Sequence, residues 1–302
     1  MKVFVTGASG FVGRYLIQEL VSHNHAVIAT DLETPSTPIS GAVFAPSDVR
    51  DVESLARIIR EHNPDACAHL AAMTFVPAGM KSPELMLNVN ITGTYNLLEA
   101  FRKEAPQARI LTTSSSHIYG TSADKIINEE SPLAPVTIYA ISKAAADLAT
   151  LAYSRHFGMH TMTARANNHV GPGQAKHFIL SSIATQILEI KKNKSEPVIK
   201  AGNTESTRDF ADVRDVVRAY RLIIEKGSKG LAYNITSGTS YTIRQIIEMM
   251  SRTAGVETRI TTDPSLVRPT DHSPRLDISR IKKHCEWTPA IPLEQTLKDM
   301  LE

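Results

Sequence analysis

The sequence predicts an α/β fold: a doubly wound parallel sheet followed by a smaller α/β region at the carboxy terminus. Three observations carry this reading. Over the first 165 residues, short apolar segments alternate with amphipathic ones; the first apolar segment runs straight into a glycine-rich turn; and the rhythm changes after Arg165. Repeated strand–helix–strand units imply parallel strands with helices on both faces.

Strands are expected at residues 2–6, 26–30, 66–70, 110–113 and 161–165, each bounded by turn residues and almost continuously apolar. Strands buried on both faces have that character. Between them, residues 11–22 place Val12, Leu16 and Leu20 on one helical stripe with Tyr15 on its flank. Residues 52–61 do the same with Val52, Leu55 and Ile59. Two further helices are expected over 85–103 and 138–156. Beyond a glycine- and proline-bearing loop at 167–174 come helices near 179–192, 215–226 and 243–253, separated by short strands near 198–201, 232–235 and 259–262. Residues 166–302 therefore read mainly as a substrate-binding domain, with some segments returning to the main sheet.

Composition excludes several classes. Of 302 residues, 42% are hydrophobic and 21% charged, as in an ordinary globular protein, and 33 Lys and Arg stand against 31 Asp and Glu. With no basic run, a nucleic-acid partner is not expected. No apolar run approaches the roughly 20 residues of a membrane span, and no leader is expected before the first strand. Cys67 and Cys285 lie far apart without CxxC spacing, which suggests reduced, structural thiols and a cytoplasmic address. No His, Cys, Asp or Glu cluster has metal-ligand spacing, so no metal is expected.

The turn after the first strand reads Gly7-Ala8-Ser9-Gly10-Phe11-Val12-Gly13. A strand-to-helix turn exposes unpaired N–H groups at the positive end of the helix dipole, where a pyrophosphate binds. Glycines permit the tight turn and the close approach of phosphates and helix; the spacing is GxxGxxG rather than GxGxxG. The second strand ends at Asp31, whose carboxylate is placed to accept hydrogen bonds from an adenosine ribose. Residues 1–165 are thus a Rossmann-like dinucleotide-binding domain. Asp31 repels a 2′-phosphate and so favours NAD(H); Arg14, either a solvated helix residue or a partner for that phosphate, keeps NADP(H) open.

Tyr139 and Lys143 stand four residues apart on one expected helical face. The fourth strand ends in Thr113-Ser114-Ser115-Ser116, at the sheet edge where such folds bind ligands. A lysine cation beside a tyrosine favours the phenolate, and a serine hydroxyl can hold a substrate oxygen while tyrosine exchanges the proton. A YxxxK pair alone is usually a surface pair; behind a glycine-loop domain, the catalytic reading is preferred.

With these motifs the chain resembles the extended short-chain dehydrogenase/reductases, which include nucleotide-sugar epimerases, dehydratases and reductases. The resemblance runs through Gly7–Gly13, Asp48-Val49, His69-Leu70-Ala71-Ala72, Asn90 to Thr94, Ser115, Tyr139, Lys143 and 165–174. It implies that Ser115, Tyr139 and Lys143 are catalytic. It also implies that Gly7, Gly10, Phe11, Val12, Gly13, Asp31, Asp48, Val49, Leu70, Ala71, Ala72 and Asn90 meet the cofactor together with Tyr139 and Lys143. Within the family the resemblance is to the GDP-4-keto-6-deoxy-mannose reductases, on residues 74–77, 168–174, 208–213 and 268–271. That implies a GDP-linked 4-keto-6-deoxy sugar as substrate, met by Thr74, Ser115, Ser116 and Asn168. Arg208 and Arg268 would clamp its diphosphate, and Asp271 would bind its ribose or support Arg268.

Physical reasons stand beside these roles. Arginine's planar fork suits phosphate oxygens, although Arg208, flanked by Asp209, also reads as a surface ion pair. Thr74 and Phe75 either line a sugar pocket or finish a loop, and His69 in a buried strand reads as a satisfied core histidine. The family's dehydratases carry an acid two residues after the catalytic Ser or Thr; here that position is His117, which disfavours dehydration. A 4-epimerase or dehydratase retaining NAD, and a non-catalytic nicotinamide sensor, remain as alternatives. Small residues at Ala140, Ala144, Ala145, Ala146, Ala149 and Ala152 fit the family's homodimer, in which two helices from each subunit form a four-helix bundle, or close packing within one chain.

Overall fold

The computed structural model describes residues 1–35, 39–120, 126–267 and 274–302. In chain order the strands are β1 Lys2–Thr6, β2 Ala26–Thr30, β3 Ala42–Phe44, β4 Ala66–His69, β5 Arg109–Thr113, β6 Ile126–Ile127 and β7 His160–Ala166. They continue with β8 Asn168–Val170, β9 Val198–Ala201, β10 Thr207–Asp212, β11 Ala232–Ile235, β12 Ser240–Thr242, β13 Arg259–Thr262 and β14 Arg275–Leu276. The helices are α1 Phe11–Ser22, α2 Val52–His62, α3 Val76–Lys81, α4 Pro83–Leu87, α5 Gly93–Glu104 and α6 Ile138–Phe157. After these come α7 Ile179–Lys191, α8 Val213–Lys226, α9 Ile243–Ala254, α10 Ser279–Cys285 and α11 Leu293–Leu301.

Seven strands form a parallel sheet in the order β11-β7-β5-β4-β1-β2-β3. Side chains alternate across it, which explains the unbroken apolar runs. Val3 and Val5 of β1 enter one core with Leu16, Ile17 and Leu20 of α1 and Val216, Tyr220 and Ile223 of α8. Phe4 points to the other face, among Leu55, Ile59, Leu97 and Phe101, and its ring meets that of Phe101 edge-on at 6.0 Å. The late segments β11 and α8 therefore complete the sheet and its first helical layer: β11 pairs in parallel with β7, Ala232 opposite Thr163. A second core joins α7, α9 and α11 through Leu180, Ile183, Ile187, Ile246, Ile247, Met250 and Leu297.

The expected helix over 85–103 is interrupted. Pro83 opens α4, residues Asn88–Thr92 form one turn of π-helix, and α5 starts at Gly93. A Cβ on Gly93 would lie 2.7 Å from Val49 Cγ2, so the glycine lets α5 press against the loop after β3. Strands β3, β6, β8, β10, β12 and β14 are additions to the expected set. All but β10 have two or three residues, too few to show a period, and β10 is defined by its pairing with β8 in parallel and with β12 antiparallel. Among the described residues no helix is long and apolar enough to cross a membrane. Cys67 and Cys285 are buried free thiols.

Candidate active site at the carboxy-terminal edge of the sheet

The glycine turn is built to bring backbone to backbone. Gly7 has φ +67°, and a Cβ there would lie 2.8 Å from Ala71 N. A Cβ on Gly13 would lie 2.4 Å from Gly7 O and 2.6 Å from Ala8 O, so α1 sits on the turn itself. Gly10 caps α1 without any side-chain hydrogen bond, leaving the first-turn N–H groups facing the cavity lined by Gly10, Phe11, Val12 and Gly13. This cradle fits a dinucleotide's pyrophosphate. Thr6 Oγ1 accepts from Leu70 N and Ala71 N, both at 3.1 Å, tying the cradle to the wall formed by Leu70, Ala71 and Ala72.

Asp31 stands at the end of β2 and lines the same cavity. Its Oδ2 accepts from Ser9 N at 3.0 Å and its Oδ1 from Leu32 N at 2.9 Å. Asp48 and Val49 also line it, with Arg50, which the sequence reading missed; Arg50 chelates the Asp48 carboxylate and holds it below the usual range. The Asn90 amide accepts from Met73 N at 2.8 Å and donates to Met73 O at 3.0 Å and Ser142 Oγ at 2.9 Å. Asn90 thereby positions the chain after β4 against α6, behind the cavity wall formed by its neighbour Val89.

Ser115 and Tyr139 meet where β5 ends. Thr137 caps α6 by accepting from Ala140 N, which presents Tyr139 in the first turn, close enough to Ser115 for the serine to act on its pKa. Both line the cavity, with the His117 ring edge-on to Tyr139 at 6.2 Å. Lys143 lies behind them, its Nζ donating to Thr113 O at 2.8 Å. The expected lowering of the tyrosine's pKa by lysine is not found. Burial pushes Tyr139 up, and Ser115 is what opposes it. Burial likewise brings Lys143 down to about 8. The pair is arranged to keep Tyr139 a protonated acid.

Ser116 is 1% exposed, and among the described residues its Oγ has no hydrogen-bond partner and it does not line the cavity. The 3-10 turn that begins there points Ser115 outward and Ser116 inward. His69 is the core histidine expected. Its ring joins Thr6 Oγ1 at 2.8 Å and Thr94 Oγ1 at 3.0 Å, and burial, then the Lys143 cation, hold it near 3.

The cavity has a volume of about 740 Å³ and is lined by the cradle, by Ser115 and Tyr139, and by Thr74, Asn168 and Arg208. The ion pair of Arg208 with its neighbour Asp209 is not formed. Asp209 turns inward, its carboxylate accepting from Thr236 Oγ1, Ser237 N and Gly238 N. Alternation along β10 separates the two side chains. Arg268 and Asp271 lie outside the described residues. Sequence reasoning missed His169, Gln174, His177 and Phe178 as wall residues, and Lys200 and Asn203 at the far end. Phe75 stacks on His177, ring centroids 4.4 Å apart, joining the loop after β4 to the one before α7. Irregular loops have no period, so only the glycine- and proline-bearing composition of 167–174 marked this region.

A parallel sheet whose carboxy edge holds a phosphate cradle beside a serine–tyrosine pair defines a nicotinamide-dependent enzyme of the extended short-chain dehydrogenase/reductase class. The chain belongs to the GDP-mannose 4,6-dehydratase family, whose model matches residues 4–300. It is 34% identical over 303 residues to the GDP-6-deoxy-D-mannose reductase of Pseudomonas aeruginosa, covering 99% of this chain and 96% of that one. The solved structure of RMD from Pseudomonas aeruginosa complexed with NADPH matches with a TM-score of 0.88 at 32% identity, over 99% of this chain and 97% of the other. UDP-glucose 4-epimerase with UDP-glucose from Thermotoga maritima matches with a TM-score of 0.89 at 26% identity, over 100% and 97%.

Proposed function

We propose that the chain reduces the C4 ketone of GDP-4-keto-6-deoxy-D-mannose, giving GDP-D-rhamnose or GDP-6-deoxy-D-talose. One observation carries this reading: Ser115 and Tyr139 line the same cavity as the glycine cradle, Asn168 and Arg208. Whole-length identity to a reductase supports it. A bound nicotinamide supplies the hydride. Ser115 orients the ketone oxygen, and Tyr139, kept protonated by burial, gives its proton to that oxygen as charge develops there. Lys143 stands behind the tyrosine as a cation. Water elimination would need a carboxylic acid beside Ser115, where His117 stands, so dehydration is disfavoured.

A 4-epimerase is the second reading, favoured by the likeness to the Thermotoga enzyme. Stoichiometric consumption of added NADH or NADPH with the 4-keto sugar supports reduction; turnover without consumption supports epimerisation. A sensor without turnover would not need Ser115, Tyr139 and Lys143 together. A cytoplasmic address belongs to the proposal, resting on the reduced thiols of Cys67 and Cys285.

Arg208 is read as a diphosphate clamp, with Arg268 as its partner in sequence terms. Arg208→Ala is expected to weaken GDP binding about 10- to 100-fold, the worth of a charge-assisted contact, while leaving cofactor affinity unchanged. Calorimetric titration of GDP, UDP, dTDP and CDP checks this. Equal affinity for all four rejects the GDP assignment, and unaltered GDP binding in the variant rejects the clamp.

Asp31 is read as favouring NADH, because a second anion beside its carboxylate is repelled. Asp31→Ala is expected to weaken NADH binding and strengthen NADPH binding, measured by fluorescence titration. A wild-type preference for NADPH of tenfold or more, about 1.4 kcal/mol, overturns the assignment.

The homodimer is proposed on a narrower set of residues than the alanine run. Ala140, Ala144 and Ala146 are buried within the chain. The outward stripe of α6 is Ile141, Ala145, Leu148 and Ala152, with Ile141 44% and Leu148 50% exposed, beside Tyr95 of α5 at 52%. Covering that stripe with its copy builds a four-helix bundle. Light scattering is expected to give a dimer at micromolar concentration and a monomer for Leu148→Glu; a wild-type monomer ends this reading.

A further inference from the structure

Tyr139, Lys143 and Asp147 follow one another at four-residue spacing on α6, and so share one helical face. The last of them has no part in the chemistry above, yet Asp147 is fully buried and Lys143 only 5% exposed. A buried carboxylate is costly unless paired, and this one is paired from the sheet. Arg165 of β7, itself 4% exposed, grips it in bidentate fashion: Nε to Oδ2 at 3.0 Å and Nη2 to Oδ1 at 2.8 Å. The remaining guanidinium nitrogen is satisfied by Tyr119 Oη at 2.9 Å and Glu129 O at 2.8 Å. The carboxylate is thereby fixed one turn beyond Lys143.

The other groups around Lys143 are neutral or disfavour its charge. Thr113 O of β5 accepts from its Nζ. His69 of β4 and His169 of β8 face it, and both are kept unprotonated by burial first, with the Lys143 cation adding to it. Tyr139 is protonated. Among the described residues Asp147 supplies the anionic field that counters burial at the lysine.

The geometry points to Asp147, oriented and attenuated by Arg165, as a positioning residue that sets how firmly Lys143 holds its proton. The two members of the buried pair act on the lysine with opposite signs. The carboxylate on the same helix stabilises the ammonium, and the guanidinium on the neighbouring strand offsets part of that field. A purely structural salt bridge has no such signature, since breaking it from either side costs stability alike. The rate consequence rests on the proposed role of Lys143 behind Tyr139; the proton affinity of Lys143 does not.

The test follows the ¹⁵Nζ resonance of Lys143 in the full chain by pH titration, assigned by its loss in Lys143→Met. Asp147→Asn is expected to move the midpoint acidward by about 1 pH unit or more, and Arg165→Met to move it alkaline. Asp147→Asn/Arg165→Met, which removes both members of the pair together, falls between wild type and Asp147→Asn. That double variant keeps the test decisive if a single variant fails to fold. Midpoints equal to wild type, or both single variants moving the same way, overturn the inference. In the NADH- or NADPH-saturated enzyme, the alkaline limb of turnover with the 4-keto sugar is expected to follow the same order. A limb that stays fixed while the Nζ midpoints move supports the inference and rejects the proposed catalytic role of Lys143.

Discussion

Tyr139→Phe is expected to lower turnover by about 10²–10⁴, the range for removing a positioned general acid. Burial raises the tyrosine's pKa, and Tyr139 lines the cavity with Ser115, so the proton is held ready at the cavity wall. Phenylalanine keeps the ring and its edge contact with His117 while deleting only that atom. Folding and cofactor affinity should therefore stay near wild type. Steady-state turnover with the 4-keto sugar, beside a thermal midpoint and a cofactor titration, separates the outcomes. Wild-type turnover in the variant removes Tyr139 from the mechanism.

Gly13→Ala is expected to weaken cofactor binding about 10- to 100-fold and to lower the thermal midpoint. The new Cβ would sit 2.4 Å from Gly7 O and 2.6 Å from Ala8 O, and these backbone atoms cannot swing aside as a side chain can. Helix α1 must lift from the turn, although Leu16, Ile17 and Leu20 anchor it in the core beneath. Overpacking of this kind costs about 1–3 kcal/mol, and each 1.4 kcal/mol is tenfold in affinity. The displaced first-turn N–H groups belong to the residues that line the cavity. Gly10→Ala serves as the comparison: its Cβ would lie 3.2 Å from Gly7 O, so a smaller loss is expected. Gly13→Ala binding the cofactor as tightly as wild type would contradict the cradle.

The sequence by itself determined most strands of the central sheet, the glycine turn and the helix that carries Tyr139 and Lys143. Strands β1, β2, β9, β11 and β13 and helix α1 have the bounds their apolar patterns predict, because local periodicity and turn residues set them. Motif spacing likewise brought Ser115, Tyr139 and the cradle to one edge, since parallel strands all end on the same side.

What only the tertiary structure decided depends on directions that no local pattern encodes. Asn90 and Ser116 sit in the motifs as expected, but their side chains turn inward, one to hold Met73 and the other into packed surroundings. Arg208 and Asp209 are neighbours in sequence and occupy opposite sides of β10 once it pairs with β8 and β12. Tyr139 and Lys143 share a helical face, yet loss of solvent raises the tyrosine and lowers the lysine, and burial is a property of the whole fold. Asp147 reads as an ordinary helix residue until β7 brings Arg165 to it across the core. Contacts between segments far apart in the chain set these outcomes, and a linear pattern carries no record of them.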